Sequence, residues 1–241
     1  MTFAAGFAAL LIASLAWGAT GVPQVREESF PHKGRAVRVE TYAPPGPGRF
    51  PAVILLYGAD GFEPHAESYR ASAEQLAGHG YVAFLVHYFD ATGTVAAGED
   101  EISRYFLDWM DTAGGAVTFA GSKSNVDAHH IGLLGFSLGA SLALSLASQN
   151  ERIGAVAEFY GTLPPLALAL MKHMPPVLIL HGTADPIVPV KEAYDLEHAL
   201  KSKGIPYQIH IYPGQGHGFT GQAARDAARR TLSFFDAYLK T

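Results

Sequence analysis

Short apolar runs alternate with stretches of helical periodicity along most of this chain. Residues 52–57 (AVILLY), 81–86 (YVAFLV), 131–136 (IGLLGF) and 177–181 (VLILH) are apolar nearly end to end. A strand with no polar face has no side to leave in water, so each must be covered on both faces. Helical spacing fills the intervals at 66–78, 100–119, 138–149, 190–203 and 223–239, and 155–160 and 207–212 read as further strands. Such alternation predicts an α/β chain: a mostly parallel sheet with helices on both faces. Residues 35–42 (RAVRVETY) instead alternate polar and apolar, as an edge-type antiparallel strand does, before a Pro/Gly-rich turn at 44–48.

Composition narrows what such a chain can do. With 241 residues, 49% apolar, and a net charge of −5, intrinsic disorder is excluded. A chain of this length buries about 70% of its unfolded surface. Acidic residues outnumber basic ones 22 to 17 with no Lys/Arg cluster, which argues against nucleic acid as a partner. The absence of cysteine removes disulfides, thiolate nucleophiles, zinc–thiolate sites and iron–sulfur clusters. Any nucleophile is therefore oxygen or nitrogen.

Residues 2–25 carry no charge, and 3–17 are mostly Ala, Leu, Ile and Phe. An apolar stretch of that length before Ala16-Trp17-Gly18, with cleavage ahead of Ala19, fits an export signal over 1–19, although no Lys or Arg precedes it. An uncleaved anchor wants about 20 strongly apolar residues, and this run is Ala-rich and broken by Gly6 and Gly18. The alternatives are that anchor or a non-native start. The expectation is an exported protein, periplasmic or secreted, without a stable membrane span after processing; cytoplasmic residence follows if the segment is not a signal. No repeat, low-complexity segment or charge run divides residues 20–241, which read as a single domain.

Gly135-Phe136-Ser137-Leu138-Gly139 is a G-x-S-x-G at a predicted strand–helix junction. The context matters more than the pattern, because a sharp turn there points a hydroxyl away from the sheet, beside a helix N-terminus that favours negative charge. A plain alternative is a serine capping an ordinary helix. Serine needs a base and the base an orienter. His217 lies in a glycine-rich loop (PGQGHGF) after the 207–212 strand, and Asp185 follows the 177–181 strand in HGTADPIVP. Both emerge at the carboxyl ends of strands, where open α/β sheets place their sites. Asp185 could instead form a turn before Pro186, and His217 could pack locally. The two backbone donors an oxyanion needs are expected from Leu138 and from the 57–61 loop, with Ala59 first and Gly58 next. His181 ends a buried strand and is expected to hydrogen-bond backbone. His129 and His130 are adjacent, which makes a poor chelate, and no metal-binding or phosphate-loop pattern occurs, so neither metal nor cofactor is expected. Tyr57, Phe62, Tyr88, Phe89, Tyr160 and Phe219 fall near the same sheet edge and either line an aromatic pocket or pack in the core.

Together with Glu158-Phe159-Tyr160-Gly161, these motifs resemble the dienelactone hydrolase family of α/β-hydrolases over residues 35–240. The resemblance implies an α/β-hydrolase fold without a large lid domain, a triad of Ser137, Asp185 and His217, and hydrolysis of small esters or lactones. The chain departs from the dienelactone enzymes in having Ser137 where they carry cysteine and Gly58 where their glutamate is expected. They hold a substrate carboxylate with arginines; here Thr220 follows His217-Gly218-Phe219 and no Arg stands beside the predicted pocket strands. A general carboxylesterase fits these differences better than a dienelactone enzyme. A peptidase, thioesterase or polyester hydrolase of the same fold, or a non-catalytic ligand-binding relative, are the alternatives. Protonation silences an imidazole base, so activity is expected to fall below roughly pH 6–7. Acyl-chain preference and oligomeric state leave no mark in the sequence.

Overall fold

The computed structural model describes residues 21–240 apart from 170 and 172. The expected export signal, residues 1–19, lies outside the described residues. The described residues open on a hairpin of β1 (Gln24–His32) and β2 (Arg35–Ala43), then alternate strand and helix. The series runs β3 (Phe50–Leu56), α1 (Ala66–Gly78), β4 (Val82–Val86), α2 (Glu99–Gly121), β5 (Val126–Phe136), α3 (Leu138–Ala147) and β6 (Ile153–Phe159). It ends with α4 (Pro165–Ala169), β7 (Val177–Gly182), α5 (Lys191–Ser202), β8 (Tyr207–Tyr212) and α6 (Gly221–Leu239). The eight strands form one open sheet in the order β1-β2-β4-β3-β5-β6-β7-β8. β1 and β2 are antiparallel, and every pairing from β4 to β8 is parallel.

The β3-α1-β4 crossover steps toward the β1 edge, whereas the crossovers through α2, α3 and α5 step toward β8. Right-handed connections running in opposite directions put their helices on opposite faces. α1 accordingly lies beside α6, with Tyr81 Oη on Asp236 at 2.7 Å between them, while α2 and α3 pack together on the other face. The parallel strands are apolar because both faces are covered: all of β4 and β7 and the last five residues of β3 are buried. α3 is buried along all ten residues, which explains its composition of Ala, Leu, Ser and Gly.

The sequence reading of 35–42 as an edge strand requires correction. β1 covers it along its whole length, joined through Lys33 and Gly34, both at positive φ, the two-residue turn that suits strand twist. β1 (QVREESFPH) is mostly exposed, so it lacks the apolar alternation that announces a strand. β5 also begins five residues before the apolar run, placing His129 and His130 inside it, and α4 has no counterpart in the sequence reading.

Because β3 to β8 are parallel, their carboxyl ends share one edge. The loop after β3, the β5–α3 junction and the loops after β7 and β8 all open there, bringing together Ala59, Ser137, Asp185 and His217.

Candidate active site

Ser137 occupies a turn that few side chains tolerate. Its φ of 53° and ψ of −118° lie in a region costing on the order of 1–3 kcal/mol, a strain that persists only where surroundings enforce it. The surroundings are close-packed backbone. A Cβ on Gly135 would lie 2.4 Å from Gly139 O, and one on Gly139 would lie 2.1 Å from Leu56 O. Ser137 N–H donates to Phe159 O at 2.9 Å, tying the turn to β6, and Ser137 C=O accepts from Ala140 and Ser141 to start α3. The hydroxyl makes no capping bond, which disposes of the helix-cap alternative.

His217 Nε2 lies 2.8 Å from Ser137 Oγ, and His217 Nδ1 lies 2.7 Å from Asp185 Oδ2. A carboxylate only accepts, so Nδ1 carries the proton and Nε2 is left to accept from the hydroxyl. The loops bearing the two residues are laced together: Thr183 N–H donates to Tyr212 O at 3.1 Å, Ala184 N–H to Gln215 O at 2.9 Å, and Gly214 N–H to Thr183 Oγ1 at 2.8 Å. The ring of Tyr160, itself at a φ of 45°, lies 4.6 Å from the imidazole.

Asp185 is fully buried at its side chain. Burial alone would push its carboxyl up, but donors outweigh burial and hold it well below the usual carboxylate range. They are His181 and His217, with the Ile187 and Val188 N–H groups at 2.8 and 2.9 Å on Oδ1. An ionised carboxylate in this position can hold an imidazole in one orientation and stabilise its cation. His181 was expected to bond backbone, and its Nε2 lies 2.9 Å from Val188 O. Its approach to Asp185 Oδ2 at 3.4 Å was not foreseen.

The loop after β3 lies against Ser137: a Cβ built on Gly58 would sit 3.5 Å from Ser137 Cβ. Gly58 N–H is engaged by Tyr69 Oη at 3.2 Å, which leaves Ala59 as the stronger of the two oxyanion candidates. Ala59 C=O is anchored by Ala97 N–H at 2.7 Å. Leu138 N–H starts α3 beside the serine. Of the six aromatic candidates, Tyr57, Tyr88 and Phe89 are core: Tyr57 and Tyr88 stack at 4.4 Å, and Tyr88 Oη donates to Tyr57 O at 2.8 Å. Phe62 packs on Tyr57 and His87. Tyr160 packs on the imidazole, and Phe219 packs on Tyr160 with 5.4 Å between ring centroids. Sequence reasoning assigned no role to Glu158, which is buried in β6 behind this site; its one signal is a lone carboxylate in the apolar run AVAEF.

Known proteins share this arrangement of elements. The structure resembles a Klebsiella pneumoniae protein provisionally named dienelactone hydrolase, with a TM-score of 0.77 at 21% identity, covering 90% of this chain and 100% of that one. It also resembles the Pyrococcus horikoshii acylaminoacyl peptidase, with a TM-score of 0.78 at 16% identity over 92% of this chain and 43% of the peptidase. These likenesses establish the α/β-hydrolase fold. In sequence, the chain is 32% identical over 179 residues to mouse acyl-coenzyme A thioesterase 2, 71% of this chain but only 37% of the thioesterase. It is 26% identical over 216 residues to a Methylorubrum extorquens protein provisionally named carboxymethylenebutenolidase, covering 79% of this chain and 73% of that protein. The model of the dienelactone hydrolase family matches residues 37–239, and the chain belongs to that family.

Proposed function

We propose that the protein is a serine hydrolase that cleaves carboxylic esters or lactones of small substrates through an acyl-enzyme. The observation that carries this reading is the unbroken hydrogen-bonded chain from Ser137 through His217 to Asp185, at a serine with a strained backbone whose hydroxyl makes no capping bond. His217 Nε2 takes the Ser137 proton as Oγ attacks the ester carbonyl carbon, and the carbonyl electron pair moves onto oxygen. N–H groups of Leu138 and Ala59 receive that oxyanion; loss of one such donor costs roughly 3–4 kcal/mol. The tetrahedral species collapses with His217 protonating the leaving alkoxide. Water then repeats the sequence with His217 as base, releasing the acid and restoring the serine.

Thioester cleavage is the second reading. The identity to acyl-coenzyme A thioesterase 2 favours it, and the same nucleophile and oxyanion donors would serve it. Rates on matched ester, thioester and amide substrates, for wild type and Ser137→Ala, separate the readings. Ester hydrolysis is expected to lead and to fall at least about a thousandfold on substitution, as removal of a triad nucleophile does. Ester turnover that survives Ser137→Ala would refute the proposal, and a thioester rate exceeding the ester rate would favour the second reading.

A further inference from the structure

Beside the nucleophile stands a carboxylate that the steps above do not use. Asp60 follows Ala59 in the loop after β3, and its side chain folds back over Gly58. A Cβ built on Gly58 would have Asp60 Oδ1 at 3.2 Å and Ser137 Cβ at 3.5 Å, so the carboxylate and the nucleophile border the same gap. The loop fixes that direction. Gly61 N–H donates to Gly58 O at 3.2 Å and Ala97 N–H to Ala59 O at 2.7 Å. Gly61, at a φ of 87°, fits so closely under Val95 O that a Cβ would lie 2.1 Å from it. His65 Nε2 donates to Asp60 Oδ2, whereas Oδ1 accepts no hydrogen bond from the described residues. Arg70, which packs on Phe62 of the same loop, is taken by Glu40 at 2.8 Å. Burial pushes the Tyr160 hydroxyl up, with Tyr69 and Asp60 adding to it, so the field of this carboxylate reaches the ring that packs on His217. The Asp60 side chain is 43% exposed, open to what enters from solvent.

A negative charge in this place works against a neutral ester. The oxyanion forms at the N–H of Ala59, the neighbour of Asp60, and like charges brought close repel. A cation on the substrate beside the carbonyl reverses the sign, because it pairs with Asp60 and offsets that repulsion. We propose that Asp60 is a specificity-determining residue, and that the preferred substrates are esters whose acyl group carries an ammonium on the carbon next to the carbonyl, as amino-acid esters do. The proposal rests on the hydrolase reading and narrows its substrate class. The leaving oxygen must face His217 Nε2 to receive its proton. His217 and Asp185 follow β8 and β7, on one side of β5, whereas Gly58 and Asp60 follow β3 on the other. The acyl group therefore lies on the side of Ser137 away from the imidazole, along the 58–61 loop. An ammonium there has Oδ1 as its acceptor, while His65 keeps Oδ2 in place. The same charge disfavours acyl groups that carry a carboxylate.

The test follows kcat/KM of the full chain at about pH 7 for glycine ethyl ester, whose amine is largely charged there, and for ethyl propanoate, a neutral counterpart of the same shape. The readout is the ratio of the charged to the neutral substrate in wild type and Asp60→Asn, so that a loss of active protein divides out. Asparagine keeps the shape and an acceptor for His65 without the charge. The ratio should fall about 5- to 50-fold in the variant, above the scale of a fully exposed ion pair and below that of a buried one. Glycine ester turnover should fall and propanoate turnover should rise. In wild type alone the ratio should also fall as salt is raised from about 0.02 to 0.5 M, because an accessible pair is screened; this arm needs no variant to fold. A ratio that stays level on substitution, or with salt, overturns the proposal and leaves the hydrolase reading standing. Hydrolysis of ethyl propanoate or another neutral ester without hydrolysis of glycine ethyl ester does the same. A folded wild-type chain that hydrolyses no ester overturns both.

Discussion

Ser137 and Asp185 show how much of this site is set by single positions. Ser137 keeps a positive φ because the backbone of Gly139 fits against Leu56 O, where a Cβ would collide at 2.1 Å. Asp185 keeps its charge in a buried position because four donors converge on two oxygens. Its folded-state carboxyl lies below the ordinary value, so it contributes stability that is present above that value and lost as pH falls through the acidic range. Asp185→Asn should therefore cost on the order of 2 kcal/mol at pH 7, with the gap to wild type closing toward pH 3 in urea unfolding. The same substitution should lower kcat roughly ten-thousandfold, because an amide in that place no longer selects the Nδ1–H tautomer. A gap that widens on acidification would contradict the placement of the donors.

At the scale of elements, burial sorts the helices. α3 is enclosed by β3, β5, β6 and α2, and Leu142 within it is fully buried. Leu142→Ala should cost about 2–5 kcal/mol, whereas Tyr194→Ala on α5, 48% exposed, should stay within about 0.5 kcal/mol; the urea midpoints of the two variants check both. The same contrast decides what could be read from the sequence. β3, β4 and β7 were legible because coverage on both faces forces an uninterrupted apolar run. β1 was not, because an exposed edge strand held by backbone hydrogen bonds and a two-residue turn needs no apolar pattern. The polar start of β5 was hidden because its residues 127–130 are only partly buried or exposed and need no apolar run.

Across the whole molecule, parallel strands deliver four loops to one edge, and the candidate site is the place where those loops meet. Ser137, Asp185 and His217 were legible because each sits in a glycine- or proline-marked turn directly after a strand, and their union at 2.8 and 2.7 Å follows from the topology. The approach of His181 Nε2 to Asp185 Oδ2 at 3.4 Å was not legible, since it depends on the conformation of the loop that carries Asp185. Nor could the sequence choose between Gly58 and Ala59, because the choice rests on Tyr69, eleven residues away, engaging the Gly58 N–H. The central claim is an activated serine at the head of that chain of groups. Reaction of the folded protein with a fluorophosphonate probe, mapped by mass spectrometry in wild type and His217→Ala, tests it most directly. The account predicts an adduct on Ser137 in wild type and little in the variant; a folded wild-type chain that carries no adduct on Ser137 would contradict it.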